Sequence, residues 1–189
     1  MTRPLENLRK RLINIDEYHR MAEVGILTPN DRVELILGEI LNMSPVGSKH
    51  SAIVKRITKL FVTAFLDSAI VQIQDPIQIQ KHSEPEPDAL LLKPREDFYV
   101  DKLPSPEDAF LLIEVADTTL DYDKKVKLEL YAEAGIPEYW IVDANEGQIL
   151  KYLQPENKQY KKMEITSIGD SINCNAFPDV TFAVKDILG

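Results

Sequence analysis

Cysteine, histidine and tryptophan are scarce in this chain: its 189 residues include one, three and one of them. The single Cys174 excludes an internal disulfide and suits a reducing compartment. A structural zinc site is disfavoured as well, because the remaining soft ligands, His19, His50 and His82, lie far apart. No apolar run is long enough to span a bilayer, and the segment Met1 to Glu6 carries no apolar signal region. The expectation is a cytoplasmic protein with no membrane partner. Positive charge is also in short supply, with 22 Lys and Arg against 31 Asp and Glu, a net charge of −9. That balance argues against a general nucleic-acid binder, whose footprint is usually basic. Local basic surfaces remain open, at Lys49, Lys55, Arg56 and Lys59 and at Lys124, Lys125 and Lys127. Both clusters read equally as solvated helix faces.

What is present is the material of a folded domain. Hydrophobic residues make up 44% and charged residues 28%, which is ordinary for a chain that buries a core. The length suits one domain over residues 1–189, with roughly the first 12 residues flexible. Ile15 to Val24 reads as a helix stopped by Gly25 and the turn signal Thr28-Pro29-Asn30-Asp31. Arg32 to Leu37 and Ile40 to Met43 form a hairpin about Gly38-Glu39. A long amphipathic helix follows, with the stripe Ile53, Val54, Ile57, Phe61, Ala64 and Phe65. Strands are expected at Ala69 to Gln74, Ile77 to Gln80, Ala89 to Leu92 and Phe110 to Ala116. A loop over Lys93 to Asp108 separates the last two, and a helix over Asp121 to Ala134 precedes a strand at Glu138 to Val142. Two or three antiparallel strands (Gln148 to Leu153, Gln159 to Ile165, Val180 to Val184) close the chain. The pattern is a mixed sheet of α/β or α+β type.

Glu114 stands out, because it interrupts the apolar run Phe110-Leu111-Leu112-Ile113-Glu114-Val115-Ala116. Burying an ionised carboxylate costs several kcal/mol unless a cation compensates it. Either that strand opens into a polar site or Glu114 has a dedicated partner. Asp88 leads the apolar strand Ala89-Leu90-Leu91-Leu92, so in an antiparallel pair the start of one strand would meet the end of the other. Two converging carboxylates repel unless a divalent cation lies between them, and oxygen-only ligands favour a hard ion such as Mg2+ or Mn2+.

On the following helix, Val126, Leu130 and Ala134 should pack inward, with Asp123, Lys127 and Tyr131 on the flank and Lys125, Glu129 and Ala132 outward. Lys127 could aim its ammonium into a polar pocket or simply pair with Asp123 at the surface. Two acids, a lysine and a hard metal would suit phosphodiester hydrolysis. Glu86 could share the face of Asp88. Tyr131 could close the pocket or be a core aromatic. Tyr139 and Trp140 read as packing residues between helix and sheet, and Asp143 as a turn former.

Several segments together resemble the Uma family of restriction endonucleases, within the PD-(D/E)xK nuclease superfamily. They are Val33 to Glu39, Pro45 to His50, Glu86-Pro87-Asp88, Ile113 to Asp117 and, most specifically, the run Tyr122 to Asp143. The resemblance spans Ile15 to Phe182 and implies a restriction-endonuclease-like mixed sheet flanked by helices, with an additional antiparallel C-terminal strand region. It implies that Asp88 and Glu114 bind the metal, Mg2+ or Mn2+, with the Val115 carbonyl as a third ligand. The usual motif has a lysine two residues after the second acid, where this chain has Ala116. The resemblance moves that role to Lys127, which would position the attacking water. Glu34 corresponds to an acidic residue of the N-terminal element, and His50 to a recurrent histidine that could equally be a packed structural one. Asp123 is kept as an accessory. The implied activity is DNA cleavage, with a homodimer because duplex cleavage needs two sites. The alternatives are an inactive binding or assembly module on the same fold, and a nuclease for RNA or branched nucleic acid.

Overall fold

The computed structural model describes residues 10–28 and 30–189. Pro29 of the expected turn, and the part of the expected flexible start that falls on residues 1–9, lie outside the described residues. Lys10 is placed, with its ammonium 2.8 Å from the Glu39 carboxylate.

Helix α1 (Ile15–Glu23) begins at a reciprocal cap, in which Asn14 accepts the Glu17 amide and Glu17 accepts the Asn14 amide. Strands β1 (Val33–Ile36) and β2 (Glu39–Asn42) form the expected antiparallel hairpin. Its turn falls one residue early, at Leu37-Gly38, because Ile36 pairs with Glu39. Helix α2 (Ser48–Phe65) buries Ile53, Val54, Ile57, Phe61 and Phe65, whereas Ala64 is exposed, at the edge of the stripe.

The central sheet has six strands in the order β3 (Ile70–Gln72), β4 (Ala89–Leu92), β5 (Ala109–Ala116), β6 (Glu138–Asp143), β7 (Gln148–Glu156) and β8 (Gln159–Ser167). Its neighbours are antiparallel except β5 and β6, which run parallel. Ile77 to Gln80 is no strand: the Ile77 and Ile79 amides bond to Pro85 and Ser83 in one antiparallel register, but Pro85 has no N–H to return, so only the single bridge Ile79–Ser83 forms, and the Gln78 amide turns away to Pro104. Between β5 and β6 the chain crosses over through α3 (Leu120–Tyr122), a π-helical turn (Asp123–Lys127) and α4 (Leu128–Ala134). A parallel pair requires such a crossover.

Alternation along β5 sorts the core into two layers. Leu111, Ile113 and Val115 face α2, where Phe61 meets Trp140 edge to face. Leu112 and Ala116 face α4, where Tyr131 packs edge to face on Tyr139. Tyr139 and Trp140 thus serve opposite layers, and only Tyr139 joins the crossover helix to the sheet.

At the C-terminus, β9 (Ser171–Asn173) pairs with β10 (Thr181–Ala183) in a small separate sheet. Val184, expected in a strand, instead opens α5 (Val184–Leu188), which buries Val184 and Ile187 against the α2 layer. Buried Glu138 secures this region. It accepts the Asn175 amide at 2.7 Å and the Trp140 indole at 2.6 Å, and Lys151 lies 3.4 Å away.

Among the described residues, no helix is long and apolar enough to cross a membrane.

Candidate active site

Asp88 directly precedes β4, whose first residue, Ala89, pairs with Ile113. The chain there lies beside the end of β5, and Asp88 accepts the Val115 amide at 2.8 Å. Within a strand, the N–H and C=O of one residue project to the same side. The Val115 carbonyl therefore points toward Asp88 too, while the Ala116 carbonyl faces the other way and accepts the Ala144 amide. The Asp88 oxygen that accepts the Val115 amide also meets the His50 ring at 2.9 Å, and the other accepts from the Gln74 side chain at 3.1 Å, which leaves that second oxygen an acceptor position to spare. The hydrogen bond to Asp88 raises the His50 pKa above the ordinary histidine range, against the opposing effect of burial.

Glu114 faces the opposite layer. One of its oxygens accepts from the Lys127 ammonium at 2.9 Å and from the Tyr131 hydroxyl at 2.8 Å. Burial pushes the Glu114 carboxyl up to about 8, against the lowering pull of Lys127. Burial alone would lower the Lys127 pKa, but Glu114, Glu34 and Asp123 outweigh it and hold the ammonium above the ordinary lysine range. Glu34 approaches Lys127 at 3.3 Å from the β1–β2 hairpin. It also accepts the Glu86 amide at 3.4 Å.

The surface Asp123–Lys127 pair does not form. Asp123 instead accepts from the Thr119 hydroxyl at 2.7 Å, and burial raises its pKa. The reason is the π turn, where the Leu128 amide bonds back five residues to the Asp123 carbonyl. The extra residue in that turn rotates the helix, so Asp123 and Lys127 are buried while Val126 and Ala134 are only half-buried. Ala132, expected to face outward, is also buried.

These groups surround a cavity of about 570 Å3 whose lining includes Glu34, His50, Glu86, Asp88, Glu114, Val115, Asp123 and Lys127. Exposures are 8% for Asp88, 5% for Glu114, 6% for Lys127 and 3% for Asp123, so the acids form a floor rather than a rim. Tyr131 does not line the cavity; it stands behind Glu114 as a core residue that donates to it. Burial, with Glu34 next among its causes, raises the half-buried Glu86 carboxyl. Asp143 accepts the Asn145 and Glu146 amides at 3.1 Å, as a turn former does.

Sequence reasoning missed Gln74, which binds Asp88, and Tyr122, whose ring lies 5.8 Å from the Lys127 ammonium. It also passed over Arg32 and Asp117, which line the cavity. Tyr122 and Asp117 lie inside the motif-bearing segments and could have been flagged there. Gln74 carried no local signal.

The sequence profile of the Uma2 family, described as "Putative restriction endonuclease", matches residues 15–185. This chain belongs to the Uma2 family. No curated protein matches it. Among solved structures it is similar to one described as a putative nuclease belonging to DUF820 from Anabaena variabilis. That match has a TM-score of 0.74 at 17% identity and covers 93% of this chain and 97% of the other. At that identity the likeness speaks for a shared fold. The Uma2-family frame here is the six-stranded mixed sheet flanked by helices, with small antiparallel sheets beside it.

The donor set suits a hard cation. The floor offers carboxylate oxygens from Asp88 and Glu114 and the Val115 carbonyl, and no cysteine lines the cavity. Among the described residues no three His, Cys, Asp or Glu side chains gather into a ready-made ligand cluster. An ion here would complete its shell with water and substrate, as Mg2+ commonly does.

Proposed function

We propose that this Uma2-family protein is a metal-dependent nuclease that hydrolyses DNA phosphodiester bonds at the Asp88–Glu114 cavity. One observation carries the reading: Lys127, arriving from the crossover helix, lies 2.9 Å from Glu114, so the lysine missing at Ala116 has a spatial substitute. Asp88, Glu114 and the Val115 carbonyl would hold Mg2+ or Mn2+. When bound, such an ion polarises phosphate oxygens and lowers the pKa of a coordinated water.

The chain's own groups do the rest. Lys127 orients the attacking water and offsets the charge that builds on phosphorus-bound oxygens. Glu34 and Tyr131 keep that arrangement in place, Glu34 by holding the ammonium and Tyr131 by fixing the Glu114 carboxylate. His50 and Gln74 orient Asp88. The surplus of carboxylates over Lys127 and Arg32 around the cavity disfavours an anionic phosphate until a cation neutralises it.

The test is nicking of supercoiled plasmid with Mg2+ or Mn2+. Wild-type protein should convert plasmid to the open-circular form, while Asp88→Asn and Lys127→Ala should not. Cleavage that persists in both variants would overturn the assignment.

A second reading rests on the same ion cluster. Lys127 is already bracketed by Glu34 and Glu114, an arrangement that also suits an inactive binding or assembly module. That reading expects no thermal stabilisation by Mg2+ or Mn2+.

A further inference from the structure

A second cavity, of about 590 Å3, adjoins the first and shares Arg32, Met43 and Glu86 with it. The two lie side by side, one acidic and lined by Asp88 and Glu114, the other lined by α1 residues Tyr18, His19 and Ala22. Each is of the size that accommodates a small ligand. In the second, the Tyr18 and His19 rings are pinned by their polar atoms. The Tyr18 hydroxyl donates to the Val33 carbonyl at 3.0 Å, and His19 meets the Glu84 carboxylate at 2.8 Å. Rings held in this way are rigid platforms for a flat partner. Met43 adds a polarizable wall, and Arg32 is a cation placed at the junction of the two chambers.

We propose that the paired cavities take an unpaired nucleotide of a nucleic-acid strand, with its phosphate over the acidic floor and its base in the second chamber beside Tyr18 and His19. The proposal rests on the nuclease reading of the first cavity and names its substrate class. Two further features support it. The floor groups are more than nine-tenths buried, so a strand free to bend brings a phosphate to them more readily than a stiff duplex does. The chain is also strongly acidic, and the closely spaced charges of a duplex suffer more from that field than those of a single strand. Arg32 sits where the phosphate linking one nucleotide to the next would pass.

Binding can be measured apart from cleavage, by fluorescence anisotropy in Ca2+ with labelled probes. These are a dodecamer of thymidylate, its tetrahydrofuran (base-less) counterpart, the matching oligouridylate and a duplex of equal length. Two proteins are compared: wild type and Ala22→Leu, which enlarges an exposed α1 side chain lining the second chamber. Wild type should bind the thymidylate strand at least ten-fold more tightly than the duplex or the base-less strand. Ala22→Leu should bind the thymidylate and base-less strands about equally. Oligouridylate that binds as well as thymidylate supports the same chamber and shows that the sugar is not read. Equal affinity of wild type for duplex and single strand, no loss on removing the bases, or no binding at all would overturn the proposal. Base-dependent binding without cleavage of the bound thymidylate strand in Mn2+ would defeat the cleavage reading alone. Nicking that depends on Asp88 but shows no preference for unpaired strands would defeat this proposal alone.

Discussion

Asp88 accepts the Val115 amide at 2.8 Å, which fastens the residue preceding one strand to the open end of its neighbour. That bond makes the carboxylate structural as well as chemical, and the two roles separate on substitution. In Asp88→Asn the side-chain oxygen can still accept the Val115 amide and Gln74 can turn its own oxygen to the new NH2, so unfolding in urea should change by only about 1–2 kcal/mol, from the weakened bond to His50. The charge is lost, however, so the rise in melting temperature given to wild type by millimolar Mn2+ should disappear. A variant that still gains stability from Mn2+ would remove Asp88 from the ligand set.

Lys127→Met leaves Glu114 and Glu34 facing each other without their cation. Breaking a buried ion network by removing one partner costs roughly 3–5 kcal/mol. Urea unfolding should show a loss of that order, and Lys127→Met/Glu114→Gln should be less destabilised than Lys127→Met alone. The same effect of Glu114→Gln in wild type and in Lys127→Met would mean that the two side chains are not energetically coupled.

Gly38 occupies the left-handed region at φ +80°, and a Cβ there would lie 2.6 Å from the Leu12 Cβ. Gly38→Ala should destabilise the protein by about 1–3 kcal/mol, from backbone strain and overpacking together. Its hairpin carries Glu34, so plasmid nicking should fall along with thermal stability. A variant as stable as wild type would show that residues 10–13 yield easily.

Burial, helped by the Glu138 charge, pushes the Cys174 thiol up to about 12. Raising a thiol pKa removes thiolate at every pH below the new value, so at pH 8 the folded protein should hold Cys174 protonated and inert. Reaction with a chromogenic disulfide at pH 8 should be at least about a hundred-fold slower than in guanidinium, where one equivalent should react at once. Rapid labelling of the native protein would place Cys174 in an accessible position.

The two strand-borne acids were legible because both sit beside runs of strand-forming apolar residues. Ala89 to Leu92 and Ala109 to Ala116 gave a register in which Asp88 and the end of β5 could only be neighbours if antiparallel, and they are. The depth of Lys127 was less legible. A regular helix from Asp121 would leave Asp123 and Lys127 on a flank, and nothing in Asp123-Lys124-Lys125-Val126-Lys127 announces a π turn. The C-terminal helix was hidden for a related reason: Val184 and Ile187 are β-formers by local preference, and contact with the α2 layer decides their state. Ile77 to Gln80 shows the converse, an alternating stretch whose facing segment carries Pro85 and so cannot complete a ladder.

The single parallel pair in the sheet also governs where charge can stand. Joining β5 to β6 obliges the chain to leave the sheet just past Glu114 and return across one face, and here the π turn of that crossover brings Lys127 to the carboxylate. A basic side chain on the overhanging turn meets the acid from above, just as one on the strand would meet it from alongside. The topology thus offers two seats for one charge, on the strand at Ala116 and on the crossover turn at Lys127.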